Sequence, residues 1–275
     1  MSVQKSLSTL IPAPRRTRST RPATAHSTAE REPLLNLQDQ SHRMSNLEIL
    51  AYEDTPLGPL CLRRRELLSD PGTIVTEVTL NHQFLMSSLH NDSERALARF
   101  ALEMHPDRDL SVLVGGLGLG YTAQAVLASQ RVTKVEAVEL LPQILDWLDS
   151  GLIPIASELK ADERFVPVLG DVYGRLAAPP GERYDLILID VDHAPDDPLD
   201  EDGGFFYTEE GLLRASRHLA PGGVLGVWSY AESSPFSKAL HSVFQEVRVE
   251  PVTFYVEMVE EERTDWLFFG RNGVD

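Results

Sequence analysis

The chain holds a single cysteine, Cys61, among 275 residues. One thiol cannot close an intrachain disulfide, and without a thiolate cluster there is no zinc or iron–sulfur framework, so a reducing, cytoplasmic location is the default expectation. Long apolar runs are lacking as well. The longest are strand-sized pieces such as Tyr184-Asp-Leu-Ile-Leu-Ile-Asp190, well short of the roughly 20 residues that span a bilayer. Neither a membrane span nor an evident secretion signal is expected. Basic charge is scarce: 25 Lys and Arg stand against 42 Asp and Glu, a net charge of −17. That excess works against phosphate backbones and anionic membrane surfaces, so neither nucleic acid nor membrane is an expected partner. No spacing of His and carboxylates suggests a metal site. What is present, 42% hydrophobic and 24% charged residues, describes a globular chain with enough apolar material for a sizeable core.

The charge is uneven. Residues 1–45 carry seven basic and three acidic groups, which makes them +4 and leaves −21 for residues 46–275. This first segment is rich in Ser, Thr, Pro, Arg and Gln and contains Pro12-Ala-Pro14 and Arg15-Arg-Thr-Arg18. It cannot bury enough surface to order itself and reads as a disordered basic tail. No acid precedes Glu30, so a transit peptide is one reading; a plain extension, or an over-long start upstream of Met44, is preferred.

Residues 46–90 read as a small antiparallel β-lid, with strands at Leu47–Tyr52, Leu60–Arg63 and Thr73–Leu80 and a turn at Pro56-Leu-Gly-Pro59. Asn91-Asp-Ser-Glu-Arg opens a helix whose apolar side is Ala96, Leu97, Phe100, Ala101 and Met104, and His105-Pro106 stops it. The rest of 91–275 alternates short apolar runs with helical segments, the pattern of a doubly wound α/β sheet buried on both faces. Strands are expected at 111–115, 134–139, 164–169, 184–190, 223–229, 246–251 and 264–270, with helices near 119–129, 141–149, 208–219 and 234–243. Arg63-Arg-Arg65 reads as a solvated lid edge, because three adjacent side chains cannot share one face of a strand.

The first sheet strand runs through Val112-Leu-Val-Gly-Gly-Leu-Gly-Leu-Gly120 into a helix. Gly116, Gly118 and Gly120 form a GxGxG turn, which lets backbone approach a ligand at the helix N-terminus. The second strand ends at Glu139, 19 residues beyond Gly120, where a carboxylate can take both hydroxyls of a ribose. Gly170-Asp171 closes the third strand. Glycine loop and acid together point to a nucleoside. GxGxG in place of GxGxxG, with Asp171 where an adenine-contacting acid would lie, resembles the class I S-adenosylmethionine-dependent methyltransferase superfamily. The β-lid, the Tyr184–Asp190 strand and Phe206-Tyr-Thr-Glu-Glu210 after an acidic loop resemble its spermidine synthase-like (polyamine aminopropyltransferase-like) branch.

That resemblance implies a seven-stranded, mostly parallel Rossmann-like sheet that ends in a C-terminal strand pair after Val249. It also implies ribose and adenine contacts at Glu139 and Asp171, with Leu140 and Val172 beside them, and Tyr207 on the substrate side. The departures are equally plain. The loop acid that holds the donor's amino group in aminopropyltransferases falls on Leu119. Of their DxxD after the fourth strand, Asp190 is kept, the second acid falls on His193, and Asp192 is displaced by one. Their lid glutamine and Tyr-His-Glu have no clear counterpart in Met86-Ser-Ser88 and Ser93-Glu-Arg95. Asp190 is the candidate for steering or deprotonating an acceptor, with His193 and Asp192 as further catalytic or substrate-holding candidates. Each also has a plain structural reading: a loop cap for Asp190, a solvated loop histidine for His193 and packing for Tyr207, while Trp228 in Trp228-Ser-Tyr230 after the fifth strand reads either as pocket lining or as core. The missing acid at Leu119 favours an intact methionine carboxylate, so methyl transfer from S-adenosylmethionine to a small, cationic acceptor is the leading expectation. Aminopropyl transfer from decarboxylated S-adenosylmethionine to a polyamine is the alternative, needing substitute carboxylates such as Asp192 or Asp196. A non-catalytic nucleoside-binding protein is the third reading, and a homodimer is the prior for assembly.

Overall fold

The computed structural model describes residues 47–191, 194–196, 201–256 and 260–274. The basic tail, the candidates Asp192 and His193, and most of the acidic loop after Asp196 lie outside the described residues.

The lid is a four-stranded antiparallel meander of β1 (Leu47–Thr55), β2 (Gly58–Glu66), β3 (Ile74–Leu80) and β4 (Gln83–Ser87). Its inner row, Leu60, Leu62 and Val78, is fully buried against the core of the main domain. The fourth strand is missing from the sequence reading. Its turn is Asn81-His82, both at positive φ (49° and 64°), the geometry of a two-residue hairpin turn usually advertised by Asn-Gly. Strand alternation also corrects the reading of the arginine triplet. Arg63 and Arg65 share a face, and their Nε atoms donate to the two oxygens of Glu77 at 2.9 and 2.6 Å. Glu77 is buried between them, so this is a paired, shielded carboxylate rather than a solvated edge.

Helix α1 (Asp92–Met104) connects the lid to the main sheet. It buries Ala96, Leu97, Ala101 and Met104 on one side, the stripe expected of an amphipathic helix on a sheet. It stops at His105, whose extended backbone is what a following proline imposes. The main sheet then forms from β5 (Leu110–Gly115), β6 (Val132–Glu139), β7 (Phe165–Leu169), β8 (Tyr184–Ile189), β9 (Leu219–Ser229), β10 (Glu246–Val256) and β11 (Glu261–Arg271). Their spatial order is β10-β11-β9-β8-β5-β6-β7, with β11 antiparallel to both its neighbours and the other pairs parallel. Residues 112–114 and 186–189 have no exposed surface, as central strands covered on both faces require.

The connecting helices are α2 (Tyr121–Leu127), α3 (Pro142–Asp149), α4 (Ala156–Ala161), α5 (Val172–Ala177), α6 (Glu201–Phe206), α7 (Glu209–Ser216) and α8 (Ser234–Val243). The sequence reading lacks α4, α5 and α6, each six residues long, too short to show a full amphipathic period. β10 and β11 outrun the expected strands because they pair with each other beyond the end of β9, from Val252–Asp265 to Val256–Glu261. The chain leaves β5 for β6 on one side while β8 flanks β5 on the other, so the strand order reverses there and a crevice opens at the strand ends. No helix among the described residues is long and apolar enough to cross a membrane.

Candidate functional site

The crevice is walled first by the glycine loop. Gly116, Gly118 and Gly120 all have positive φ (89°, 51° and 88°). At Gly116 a Cβ would stand 2.1 Å from the Asp190 carbonyl oxygen, so only glycine lets β5 turn away while its last residue still receives the Asp190 N–H at 2.8 Å. At Gly118 the nearest atom to such a Cβ would be Met86 Sδ, at 2.8 Å. The fourth lid strand therefore lies directly over the loop.

Glu139, at the end of β6, is buried and turned toward the same loop. One carboxylate oxygen accepts the N–H of Leu117 at 3.0 Å and of Gly118 at 3.4 Å, and the other accepts that of Leu141 at 2.8 Å. It thus pins the loop while presenting the acceptor oxygens a ribose would share. Glu139→Gln places an amide donor against N–H donors, and this mismatch should cost about 1–3 kcal/mol of stability. Thermal unfolding would show that loss, and calorimetry with the nucleoside donor should show binding weakened at least ~10-fold. Unchanged donor affinity would remove Glu139 from the pocket.

Asp171 is exposed and caps α5, its Oδ1 accepting the Tyr173 N–H at 2.9 Å. Beside it opens a cavity of about 300 Å³ lined by Asp171, Tyr173, Leu176, Phe205 and Phe206. The two neighbours of the acids differ: Leu140 is 54% exposed, whereas Val172 is buried with its methyls against Gly115. Tyr207 is buried in an aromatic cluster with Tyr173, Phe206 and Phe236, and its hydroxyl meets that of Tyr173 at 2.9 Å. Burial raises that hydroxyl to about 12, and these contacts are those of the packing reading.

Asp190 follows β8 and is half-buried at the crevice floor. Thr122 of α2 donates its hydroxyl to Asp190 Oδ2 at 2.5 Å. Two further carboxylates converge there: Glu94 from the first turn of α1, and Asp265 from β11. Ser93 Oγ lies 2.6 Å from Asp265 Oδ2 and 3.0 Å from Glu94 Oε2, and it accepts the Trp228 indole N–H at 3.0 Å. Burial, then the charge of Asp190, pushes Glu94 up to about 8. Burial raises Asp190 to about 6, with Asp265 adding to the rise and Thr122 opposing it, and burial raises Asp265 as well. Three acids in one half-buried pocket cannot all ionise cheaply, so protons stay in the cluster near neutrality.

The sequence reading contains Asp190 but neither Glu94 nor Asp265. Glu94 lies within Ser93-Glu-Arg95, a stretch with no clear counterpart to the branch's Tyr-His-Glu, so the motif does not single it out. Asp265 had no signal either, because its approach depends on how far β11 extends past β9. Trp228, left open between pocket and core, is half-buried and reaches the cluster through Ser93. No group of residues able to hold a metal occurs among the described residues.

No family model matches the chain. It is 31% identical over 129 residues to a polyamine aminopropyltransferase of Mycobacterium tuberculosis, a stretch covering 46% of this chain and 23% of that protein. It is 35% identical over 120 residues to polyamine aminopropyltransferase 2 of Streptomyces coelicolor, covering 42% of this chain and 21% of that protein. The match thus spans less than a quarter of the length of these curated relatives. Among solved structures it resembles a spermidine synthase in complex with the transition state analogue AdoDATO and the spermidine synthase from Thermotoga maritima. Each has a TM-score of 0.62 and 16% identity over 82% of this chain and 73% of the other. The chain shares the fold of these spermidine synthase structures, with a four-stranded antiparallel lid ahead of a seven-stranded, mostly parallel sheet.

Proposed function

We propose that this chain is a transferase of the aminopropyl type, joining the aminopropyl group of decarboxylated S-adenosylmethionine to a polyamine acceptor. The observation that carries this reading is the convergence of Glu94, Asp190 and Asp265, because stacked carboxylates hold ammonium groups. It reverses the order of the two readings drawn from the sequence. In the sequence alone, Leu119 in place of a donor-holding acid favours methyl transfer, and aminopropyl transfer needs substitute carboxylates such as Asp192 or Asp196. Glu94 and Asp265 supply carboxylates beside Asp190, and the curated relatives are named as aminopropyltransferases.

The donor supplies an activated carbon beside a sulfonium, with methylthioadenosine as leaving group. The acceptor nitrogen forms the new C–N bond, the C–S bond breaks and its electron pair stays on sulfur. What the chain contributes is position and charge: Glu139 and the glycine loop hold the nucleoside, and Glu94 with Asp265 fixes an ammonium end of the acceptor. Asp190 takes the proton released by the attacking nitrogen. A carboxylate raised toward neutrality is a better base than an ordinary one, which suits this task. The buried, apolar Leu119 is the one feature favouring a donor that keeps its carboxylate, and hence methyl transfer.

The test is full-length protein incubated with 1,4-diaminobutane and either decarboxylated or intact S-adenosylmethionine, with products resolved by mass spectrometry. Methylthioadenosine and the extended amine from the decarboxylated donor are expected. S-Adenosylhomocysteine from the intact donor would replace this reading with methyl transfer. Binding of either donor without product would indicate a nucleoside-binding protein.

A further inference from the structure

Away from the crevice, α1 and α2 enclose an open groove of about 410 Å³ lined by Arg95, Arg99, Leu102, Glu103, Ala125 and Arg131. Three guanidinium groups around one cavity are unexpected in a body carrying −21, and the two on α1, Arg95 and Arg99, are only lightly compensated. Arg95 is held by neutral acceptors, Asn91 Oδ1 at 2.6 Å and Gln124 Oε1 at 2.8 Å. Arg131 donates to the main-chain oxygens of Leu102, His105 and Asp107 at the end of α1. Neither forms an ion pair among the described residues. Arg99 meets Glu103 at 3.2 Å, but that carboxylate is shared with Arg248 at 3.4 Å. The Arg99–Glu103 pair is about half exposed on both sides, the kind of surface pair that contributes little and opens readily.

We propose that this groove binds a small phosphate ester. Guanidinium groups present forked donors that match phosphate oxygens. The Leu102, Ala125 and Ala128 wall offers an apolar surface to the rest of the ligand, and the volume suits a molecule of nucleotide size. A long polyanion is disfavoured by the charge of the body, whereas a compact dianion fits within the basic patch. The site is separate from the nucleoside crevice, and the assignment does not depend on which group the enzyme transfers.

Calorimetry of the full-length chain with phenyl phosphate, inorganic phosphate and benzyl alcohol at constant ionic strength tests this. Phenyl phosphate lacks a ribose and does not address Glu139. The expected result is saturable binding of phenyl phosphate, at least ~5-fold weaker binding of inorganic phosphate and none of benzyl alcohol. Arg95→Gln and Arg99→Gln are on the exposed face of α1 and should each weaken phenyl phosphate at least ~5-fold while leaving the melting curve in place. Undiminished binding by the double variant would place the anion elsewhere, the basic segment 1–45 included, and overturn the proposal. Equal affinity for phenyl and inorganic phosphate would overturn the ester assignment, and saturation by neither would overturn the site.

Discussion

Asp190→Asn is expected to lower kcat/KM for transfer by about 10²–10⁴-fold, the range spanned by loss of a positioned general base, while making the ligand-free protein more stable above pH 7. The two effects share one cause. Thr122 can still donate to the amide oxygen, so the geometry survives, but the charge that Glu94 and Asp265 oppose is gone. In the folded protein Glu94 sits at about 8 and Asp190 at about 6, against 4.5 and 3.8 for the ordinary groups. The folded state therefore retains protons that the unfolded chain has released. Stability from the protonated cluster is complete below about pH 4 and is lost as pH rises through about 6 and then about 8. For Asp190 alone the loss is on the order of 2–3 kcal/mol. Denaturant unfolding at pH 5 and pH 8.5 would show wild type weakening between them and the variant weakening less. A variant equally active, or one less stable at pH 8.5, would remove Asp190 from its proposed role. Such a trade, stability surrendered to keep like charges together, is common where a site must bind the opposite charge.

Gly116→Ala and Gly118→Ala should differ sharply although both glycines have positive φ. At Gly116 the added methyl meets a backbone carbonyl at 2.1 Å, and that carbonyl belongs to Asp190, held by the β5–β8 pairing. Neither partner can yield without parting two central strand ends, so the cost is expected to exceed about 3 kcal/mol, with donor binding lost. At Gly118 the obstacle is the far end of Met86 at 2.8 Å and φ is 51°, within the left-handed well, so a cost of about 1–2 kcal/mol is expected. Paired thermal melts decide this. Comparable destabilisation of the two variants would mean that the loop is not braced on Asp190.

The comparison of the two carboxylates at strand ends explains how much of the site was visible beforehand. Glu139 and Asp190 each end an apolar strand, and a strand end in a doubly wound sheet faces the crevice whatever the details of packing. Glu94 and Asp265 sit on an amphipathic helix and an edge hairpin, where an acid more often faces water. Their meeting with Asp190 depends on the rotation of α1 about its axis and on how far β11 extends past β9. The arginine triplet shows the same limit at smaller scale: alternation requires that Arg63 and Arg65 share a face, but only the β2–β3 register decides that Glu77 lies between them.

Local periodicity and turn chemistry determined the seven sheet strands, the longer helices, three of the lid's four strands and the glycine loop, because each is encoded within a window of neighbouring residues. What the tertiary structure alone decided is the chemistry between elements distant in sequence: which acids share a pocket, how strongly burial and mutual repulsion hold their protons, and where basic side chains surround a groove. Those properties depend on distances in space and on the loss of water around charged groups, and neither has a period that a sequence can display.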